Sequence, residues 1–283
     1  MTACLLPLLA LMLFTNYLAF SNKKYASLWQ PNYRPAWMES KWKCLIVDWL
    51  VILALWMPSE FKLMHLFASP GEHLQILIWK VDKYEVLNEL FKFFSLNAGL
   101  VWFLGFRKLE INYHLWSSKL VNWLWAILIF LLAAPFLLDY GEKSGFITVI
   151  NHEELLANWT LLKALPTFFL IFFIVATLEE IFFRGIMQNI SAPTIKDIFS
   201  KFFNNQTTIT LFTNLTTNLI SAVIFGLAHL NGGDWRYMIL ASVAGFAYGL
   251  AYQITKSIFP AAIVHTLVDL TWVLTFFTPT PKN

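Results

Sequence analysis

Ionisable side chains interrupt three long apolar stretches in the C-terminal part of the sequence. The first stretch, ALPTFFLIFFIVATLEEIFFRG, ends with two carboxylates and a guanidinium, and the two later stretches contain histidines and an aspartate. The six residues are Glu179, Glu180, Arg184, His229, His265 and Asp269. A charged side chain at the centre of a membrane helix costs roughly 2.5–3.5 kcal/mol on insertion scales, so such residues have a function by default. Carboxyl and imidazole groups transfer protons, which predicts acid–base chemistry.

The spacing of these residues places them on helix faces. Side chains four positions apart are neighbours on one face of an α-helix. Three pairs have this spacing, in the segments EEIFFR, FGLAH and HTLVD: Glu180 with Arg184, Phe225 with His229, and His265 with Asp269. Glu179 points about 100° away from Glu180 around the same helix. We therefore expect three helices that each present a polar residue one turn from a partner.

The composition indicates that membrane helices hold these residues. The chain of 283 residues is 58% hydrophobic and 13% charged, whereas soluble domains average roughly 25% charged residues. Its mean hydropathy is +0.60. We expect an all-α fold, a polytopic membrane helix bundle of about 7–8 transmembrane helices, in the cell (inner or plasma) membrane. This composition predicts a lipid bilayer as partner. The net charge of +3 and the lack of a basic stripe predict that the protein does not bind nucleic acid.

Apolar windows that approach the roughly 20 residues of a membrane span recur along the chain. They cover residues 3–20, 44–57, 90–106, 120–138, 164–187, 211–230, 237–255 and 258–277. A signal peptide has basic residues before its apolar core, but the first window has no Lys or Arg there. It is therefore expected to be a retained helix. Between two windows, residues 72–94 have apolar side chains at helical spacing with Lys and Glu between them. An amphipathic helix along the membrane surface is expected there, or a packing helix outside the membrane.

The ionisable residues fall at similar depths in their windows. At a rise of 1.5 Å per residue, Glu179, His229 and His265 all lie within about 10 Å of the membrane midplane, on separate helices. A single buried histidine or a single Glu–Arg pair is commonly structural. Three such patterns at one depth favour a shared polar chamber.

At these segments the sequence resembles a known family. EEIFFR fits EExxxR, FGLAH fits FxxxH and HTLVD fits HxxxN/D, in the same order as in the CAAX-protease and bacteriocin-processing (CPBP, or Abi) family of intramembrane endopeptidases, which includes the CAAX prenyl proteases. The resemblance covers about residues 160–277. It predicts a CPBP-like catalytic helical core over residues 160–283, while the apolar windows predict N-terminal transmembrane helices over residues 1–159, with the amphipathic segment 72–94.

The resemblance also implies roles for individual residues. Peptide hydrolysis needs an activated water, a proton for the leaving amine and donors for the oxyanion. By the family pattern, Glu179 and His229 activate water, and His265 and Asp269 contact the oxyanion. The structural support is expected from Glu180, Arg184 and Phe225.

Two features of this predicted site have open alternatives. Asn is commoner than Asp at the position of Asp269, and an ionised Asp would repel an oxyanion. Asp269 must therefore be protonated or must instead orient His265. We expect no cofactor and a glutamic mechanism, with zinc held by Glu179, His229 and His265 as the alternative, because two His and a Glu form many hydrolytic zinc sites.

The function predicted from these residues is hydrolysis of a peptide bond by Glu/His-activated water within the membrane. The substrate would be a membrane-associated protein or a C-terminal or leader peptide, prenylated or not. A non-catalytic membrane scaffold or immunity protein and a transporter with a polar relay are the alternatives. A transporter predicts two related halves with broken helices, and the sequence shows no such internal symmetry.

Overall fold

The computed structural model describes residues 41–277, apart from 61–62, 69–71, 77–78, 101, 104–106, 108–113 and 231–233. The predicted first span, 3–20, lies outside the described residues. The chain divides into two compact units, Met1–Ile111 and Asn112–Asn283. The unit that contains the predicted catalytic residues therefore includes the window 120–138.

The described residues of the N-terminal unit include two α-helices and a pair of antiparallel strands. Its elements are α1 (Lys41–Glu60), a 3₁₀ turn (Leu63–Leu66), β1 (His73–Ile76), β2 (Trp79–Asp82) and α2 (Lys83–Leu100). The acid of α1, Asp48, is buried. It accepts two hydrogen bonds from Arg107, both of 2.8 Å, and one of 3.1 Å from Trp102. The bidentate guanidinium satisfies a carboxylate that the apolar helix would otherwise leave unpaired.

The predicted amphipathic helix over residues 72–94 is wrong in its first half. His73–Ile76 and Trp79–Asp82 pair as the antiparallel strands β1 and β2, and the helix begins at Lys83. HLQI and WKVD each alternate polar and apolar residues, the period of a strand. The observed register sets apolar positions opposite each other, Leu74 with Val81 and Ile76 with Trp79. The prediction relied on apolar positions at helical spacing and did not use the alternation within each of these two short segments.

The C-terminal unit is a bundle of helices. Its elements are α3 (Leu120–Lys143), β3 (Thr148–Val149), α4 (His152–Asn158), α5 (Leu161–Phe199), α6 (Gln206–Ala228), α7 (Trp235–Thr255), α8 (Ile258–Thr275) and β4 (Phe276–Phe277). β3 pairs antiparallel with β4. Asn205 caps α6 by accepting from the amides of Thr207 and Thr208, and Asp234 caps α7 by accepting from the amide of Arg236. These caps satisfy amides that have no partner within the helix.

Five of the described helices are long and apolar enough to cross a membrane: α3, α5, α6, α7 and α8. They correspond to the predicted windows 120–138, 164–187, 211–230, 237–255 and 258–277. α1 covers the window 44–57 and α2 covers residues 90–100 of the window 90–106, although these two helices are not among the five. The protein is an all-α, multi-pass integral membrane bundle, as the composition predicts.

Helix α5, with 39 residues, contains two π-helical segments. Ile171–Ala176 and Ile181–Gln188 are π-helical, and the α-helical turn between them, Thr177–Glu180, carries both glutamates. The side-chain amide of Asn189 lies 2.8 and 3.0 Å from the carbonyl oxygens of Arg184 and Gly185. Asn189 therefore donates to carbonyl groups in the second π-helical segment. Such π segments occur frequently at functional sites.

Glycines allow α7 to approach α5 and α6 closely. A Cβ atom on Gly249 would lie 1.7 Å from Asn218 Oδ1, and one on Gly245 would lie 2.9 Å from a ring carbon of Phe225. The spacing Gly-x-x-x-Gly presents both glycines on one helix face, as at close helix crossings in membranes. This contact brings α7 against the polar residues of α5 and α6.

Gly249→Ala is expected to lower the free energy of unfolding by about 1–3 kcal/mol through overpacking. Ala favours a helix over Gly by about 1 kcal/mol, so the steric effect opposes the helix propensity. Chemical unfolding in detergent measures the difference. The control is Ile254→Ala on an exposed part of α7, and adding Asn218→Ala to Gly249→Ala should remove the clash. A Gly249→Ala protein as stable as the wild type would contradict the packing.

Candidate active site

The predicted site residues meet in one cavity of about 310 Å³ in the C-terminal unit. Residues of α3, α5, α7 and α8 line it, together with the end of α6 and the residue that follows it. All four predicted catalytic residues are in its wall: Glu179, His229, His265 and Asp269. Sequence spacing predicted that the helices share a polar chamber, and the structure brings these four side chains to it.

The Glu180–Arg184 pair lies behind this wall. Arg184 Nε donates to Glu180 Oε2 over 3.0 Å, and neither side chain is exposed. Arg184 Nη1 donates to Ser221 Oγ over 2.9 Å, and Ser221 Oγ donates to the Phe183 carbonyl. The guanidinium lies 5.8 Å from the centre of the Phe225 ring. Arg184 therefore links α5 to α6 as well as pairing with Glu180.

His265 contacts a carboxylate at each ring nitrogen. Its Nδ1 lies 3.0 Å from Glu180 Oε1, and its Nε2 lies 3.4 Å from Asp269 Oδ2 and 3.9 Å from Glu179 Oε2. Glu180 thus bridges Arg184 on α5 and His265 on α8. The spacing of EEIFFR predicted the first contact but gave no signal for the second, because the two residues are 85 positions apart.

His229 follows the last residue of α6. Its Nδ1 lies 2.7 Å from the Phe225 carbonyl oxygen, four residues earlier. A carbonyl only accepts, so Nδ1 donates, and in a neutral ring Nε2 carries the lone pair. The Phe225 ring packs against both histidines, with centroids 4.4 Å from His229 and 5.6 Å from His265. The FxxxH spacing thus fixes the histidine through a backbone bond and a ring contact.

Glu179 has a buried oxygen at the cavity. Its side chain is 13% exposed, and Oε2 has no hydrogen-bond partner among the described residues. A buried carboxylate oxygen without a hydrogen bond is costly, and this one belongs to a residue of the cavity wall. The arrangement suits a group that binds water or a substrate atom.

The structure adds residues that the motifs did not include. Tyr237 and Tyr248 of α7 line the same cavity and contact the two histidines with their rings. Tyrosine is not ionised at neutral pH, so the search for charges in apolar windows did not find them. Their spacing of three helical turns would have placed them on one face of α7.

The alternative zinc ligands do not converge. In the part of the chain that the structure describes, no three His, Cys, Asp or Glu side chains are arranged to hold a metal ion. Glu179, His229 and His265 therefore do not fit a zinc site in this arrangement.

An ion pair lies at the end of α7 next to the cavity. Arg236 pairs with Asp234, the cap of α7, and donates to the carbonyl of Ser144 over 2.8 Å. The hydrogen bond from Arg236 holds the pKa of Asp234 below its ordinary value. A carboxyl pKa that is lower in the folded state raises the free energy of unfolding at pH values above the ordinary carboxyl pKa. That contribution is lost as the pH falls through the lowered pKa. Both groups are partly exposed, so the contribution is small.

Fold and site together define the class as a multi-pass membrane protein with acid–base residues in a cavity between its helices. A family model, Type II CAAX prenyl endopeptidase Rce1-like, matches residues 160–271. This segment, 112 of the 283 residues, is similar to the Rce1-like family, and the predicted resemblance to the CPBP family is confirmed. The match contains all the motif residues and supports intramembrane protease activity. No curated protein and no solved structure matches the chain.

Proposed function

We propose that the protein is an intramembrane endopeptidase in which Glu179 and His229 activate the water that attacks a peptide bond. The observation that carries the proposal is the buried Oε2 of Glu179 in the wall of a cavity that also contains both histidines. A carboxylate at this position can take a proton from water and pass it to the leaving amine. The substrate is a segment in or at the membrane.

His229 is suited to bind the same water. Its Nδ1 donates to the Phe225 carbonyl, which leaves Nε2 of the neutral ring as an acceptor. Glu179 and His229 come from different helices, so the packing of α5 against the end of α6 sets their separation. Water bound by both groups would lose its proton to Glu179 as it attacks the carbonyl carbon.

His265 is suited to stabilise the oxyanion. Glu180 accepts from its Nδ1, so an additional proton on Nε2 makes the ring a cationic donor. The negative charge of Glu180 offsets that positive charge and is itself shared with Arg184. Oriented donors of this kind lower the barrier because they do not need to reorganise during the reaction.

Glu180, rather than Asp269, holds Nδ1 of His265, so the orientation of this ring does not depend on Asp269 alone. Asp269 lies 3.4 Å from the other nitrogen, and its side chain is 34% exposed. We propose that Asp269 contacts the oxyanion, a role in which its carboxyl group must carry a proton to donate a hydrogen bond.

Asp269→Asn is expected to keep at least comparable activity at neutral pH and to lose less activity as the pH rises. Asparagine donates at every pH, whereas an aspartic acid donates only below its pKa. The measurement is a pH–rate profile of both proteins. Losing an oxyanion donor costs about 10²–10³ in kcat, so a loss of that size in Asp269→Asn at all pH values would instead make Asp269 the ionised partner that orients His265.

We propose that the reaction needs no metal. The support is that, among the described residues, no three His, Cys, Asp or Glu side chains are arranged to hold a metal ion. The test is to treat the purified protein with a chelator, measure cleavage, and then add zinc. Activity lost with the chelator and restored by zinc would contradict the glutamic mechanism.

A cleavage assay in proteoliposomes tests the proposed function. The family model is described as a CAAX prenyl endopeptidase, so the first substrate is a peptide with a prenylated C-terminal cysteine motif. The same peptide without the prenyl group and a leader peptide follow. Cleavage by the wild type and not by a Glu179 variant supports the proposal. A full panel of membrane-embedded peptides left intact by the wild type would favour a non-catalytic role.

A further inference from the structure

Helix α7 supplies none of the three motifs, yet it contacts both histidines of the site. Tyr237 and Tyr248 are 11 residues apart, which is close to three helical turns, so they lie on the same face. Ala241 and Ala244 lie between them on that face and also line the cavity. The face therefore has a large ring at each end and small side chains in the middle.

Tyr248 covers one face of His265. The ring centroids are 4.4 Å apart and the planes differ by 13°, which is a stacked arrangement. Tyr248 is 1% exposed, and its ring meets Phe225 edge to face at 5.8 Å. The hydrogen bond to Glu180 fixes one atom of His265, but rotation about that bond would remain. The stacked ring removes this rotation because it defines the plane of the imidazole.

Tyr237 contacts His229 in a different geometry. Its ring is perpendicular to the imidazole, with centroids 5.3 Å apart. Tyr237 is itself held by a stacked contact with Phe146 at 5.3 Å and a contact with Trp272 at 5.9 Å. His229 is the C-cap of α6, and its amide donates to the Gly226 carbonyl over 2.9 Å, which holds its backbone but not the plane of its ring. The ring contact supplies a restraint at that point.

We infer that Tyr237 and Tyr248 are positioning residues that set the ring planes of His229 and His265, and that α7 aligns the two imidazoles on one cavity. This inference rests on the proposed endopeptidase function. The direction of Nε2 on each ring follows from the plane of that ring, so both water activation and oxyanion binding depend on it. A rigid helix with both tyrosines on one face keeps the two planes in a constant relation.

Substitutions at each tyrosine distinguish the effect of the ring from the effect of its hydroxyl group. Tyr248→Leu and Tyr237→Leu should lower kcat by at least about tenfold with little change in KM, because small errors in position cost up to about 10²-fold in rate. Tyr→Phe at either position keeps the ring and should restore most of kcat. Tyr→Met fills the volume without a ring and replaces Leu if that variant does not fold. Tyr252→Leu is the matched control, since Tyr252 is a buried tyrosine of α7 that does not line the cavity.

A second measurement does not depend on activity. The ¹⁵N spectra of labelled histidines in the full-length protein in nanodiscs report the protonation and tautomer of each ring. Loss of the Tyr248 ring should shift the His265 signals, and loss of the Tyr237 ring should shift those of His229, while Tyr252→Leu should leave both unchanged. These shifts need no substrate, so they test the ring contacts even if the wild type cleaves no peptide. A wild type that cleaves no peptide would count against the proposed function but not against the ring contacts. Wild-type kcat in the ring-less variants, with or without a spectral change, would overturn the positioning role, and so would unchanged histidine signals.

Discussion

Glu179→Gln should reduce cleavage by about 10²–10⁴-fold, the usual contribution of a general base. Glutamine has nearly the same shape, so the cavity keeps its volume, but an amide cannot take a proton from water. The buried Oε2 has no partner among the described residues, so the substitution breaks no hydrogen bond to the protein at that atom. The effect should therefore appear in kcat rather than in stability. Initial rates on a cleaved peptide, with thermal unfolding in detergent, measure both.

The matched control is Glu142→Gln, at the exposed end of α3 and outside the cavity. It removes one carboxylate from the same protein and should leave kcat unchanged. His229→Ala is expected to abolish cleavage as well, because it removes the second group that binds the water. If a folded Glu179→Gln or His229→Ala protein cleaved at nearly the wild-type rate, the assigned water-activating pair would be wrong.

The contacts within each motif could be predicted from sequence because they depend on one helix. A spacing of four residues puts Glu180 beside Arg184 in any α-helix, and the structure has this ion pair. Likewise, His229 bonds the carbonyl of Phe225, four residues before it. Depth in the apolar windows also predicted one shared cavity, since helices that cross one membrane have a common midplane.

Contacts between helices could not be predicted in the same way. The bond between Glu180 and His265 depends on how far α8 lies from α5 and on its rotation, and neither follows from periodicity. The π segments around Glu179 are a second example, because extra residues per turn rotate every later side chain of α5. The stacking of Tyr248 on His265 depends in addition on the close approach of α7. This approach is possible because Gly245 and Gly249 have no Cβ atom. The sequence predicted which motif residues would share a cavity but not the contacts between helices that orient them.

Arg184→Ala should mainly damage folding, by about 3–5 kcal/mol, the usual cost of breaking a buried ion pair. The substitution leaves Glu180 as a fully buried carboxylate without its guanidinium and leaves Ser221 Oγ without that donor. It also opens a cavity, because Arg184 is among the largest fully buried side chains. Low yield and a lowered Tm in detergent are the expected results. Arg184→Lys should recover only part of the stability, since an ammonium lacks the fork that reaches both Glu180 and Ser221.

The control for Arg184→Ala is another pair with the same spacing. Lys143 and Asp139 on α3 are also four residues apart, but their side chains are 76% and 60% exposed. Lys143→Ala should change stability by no more than about 1 kcal/mol, because solvent screens exposed pairs. In the Arg184→Ala background, Glu180→Gln removes the unpaired charge and should return part of the lost stability, which separates the cost of the charge from the cost of the cavity. An Arg184→Ala protein that unfolds like the wild type but cleaves nothing would give Arg184 a role in the reaction, and the assignment of the Glu180–Arg184 pair to structural support would then be wrong.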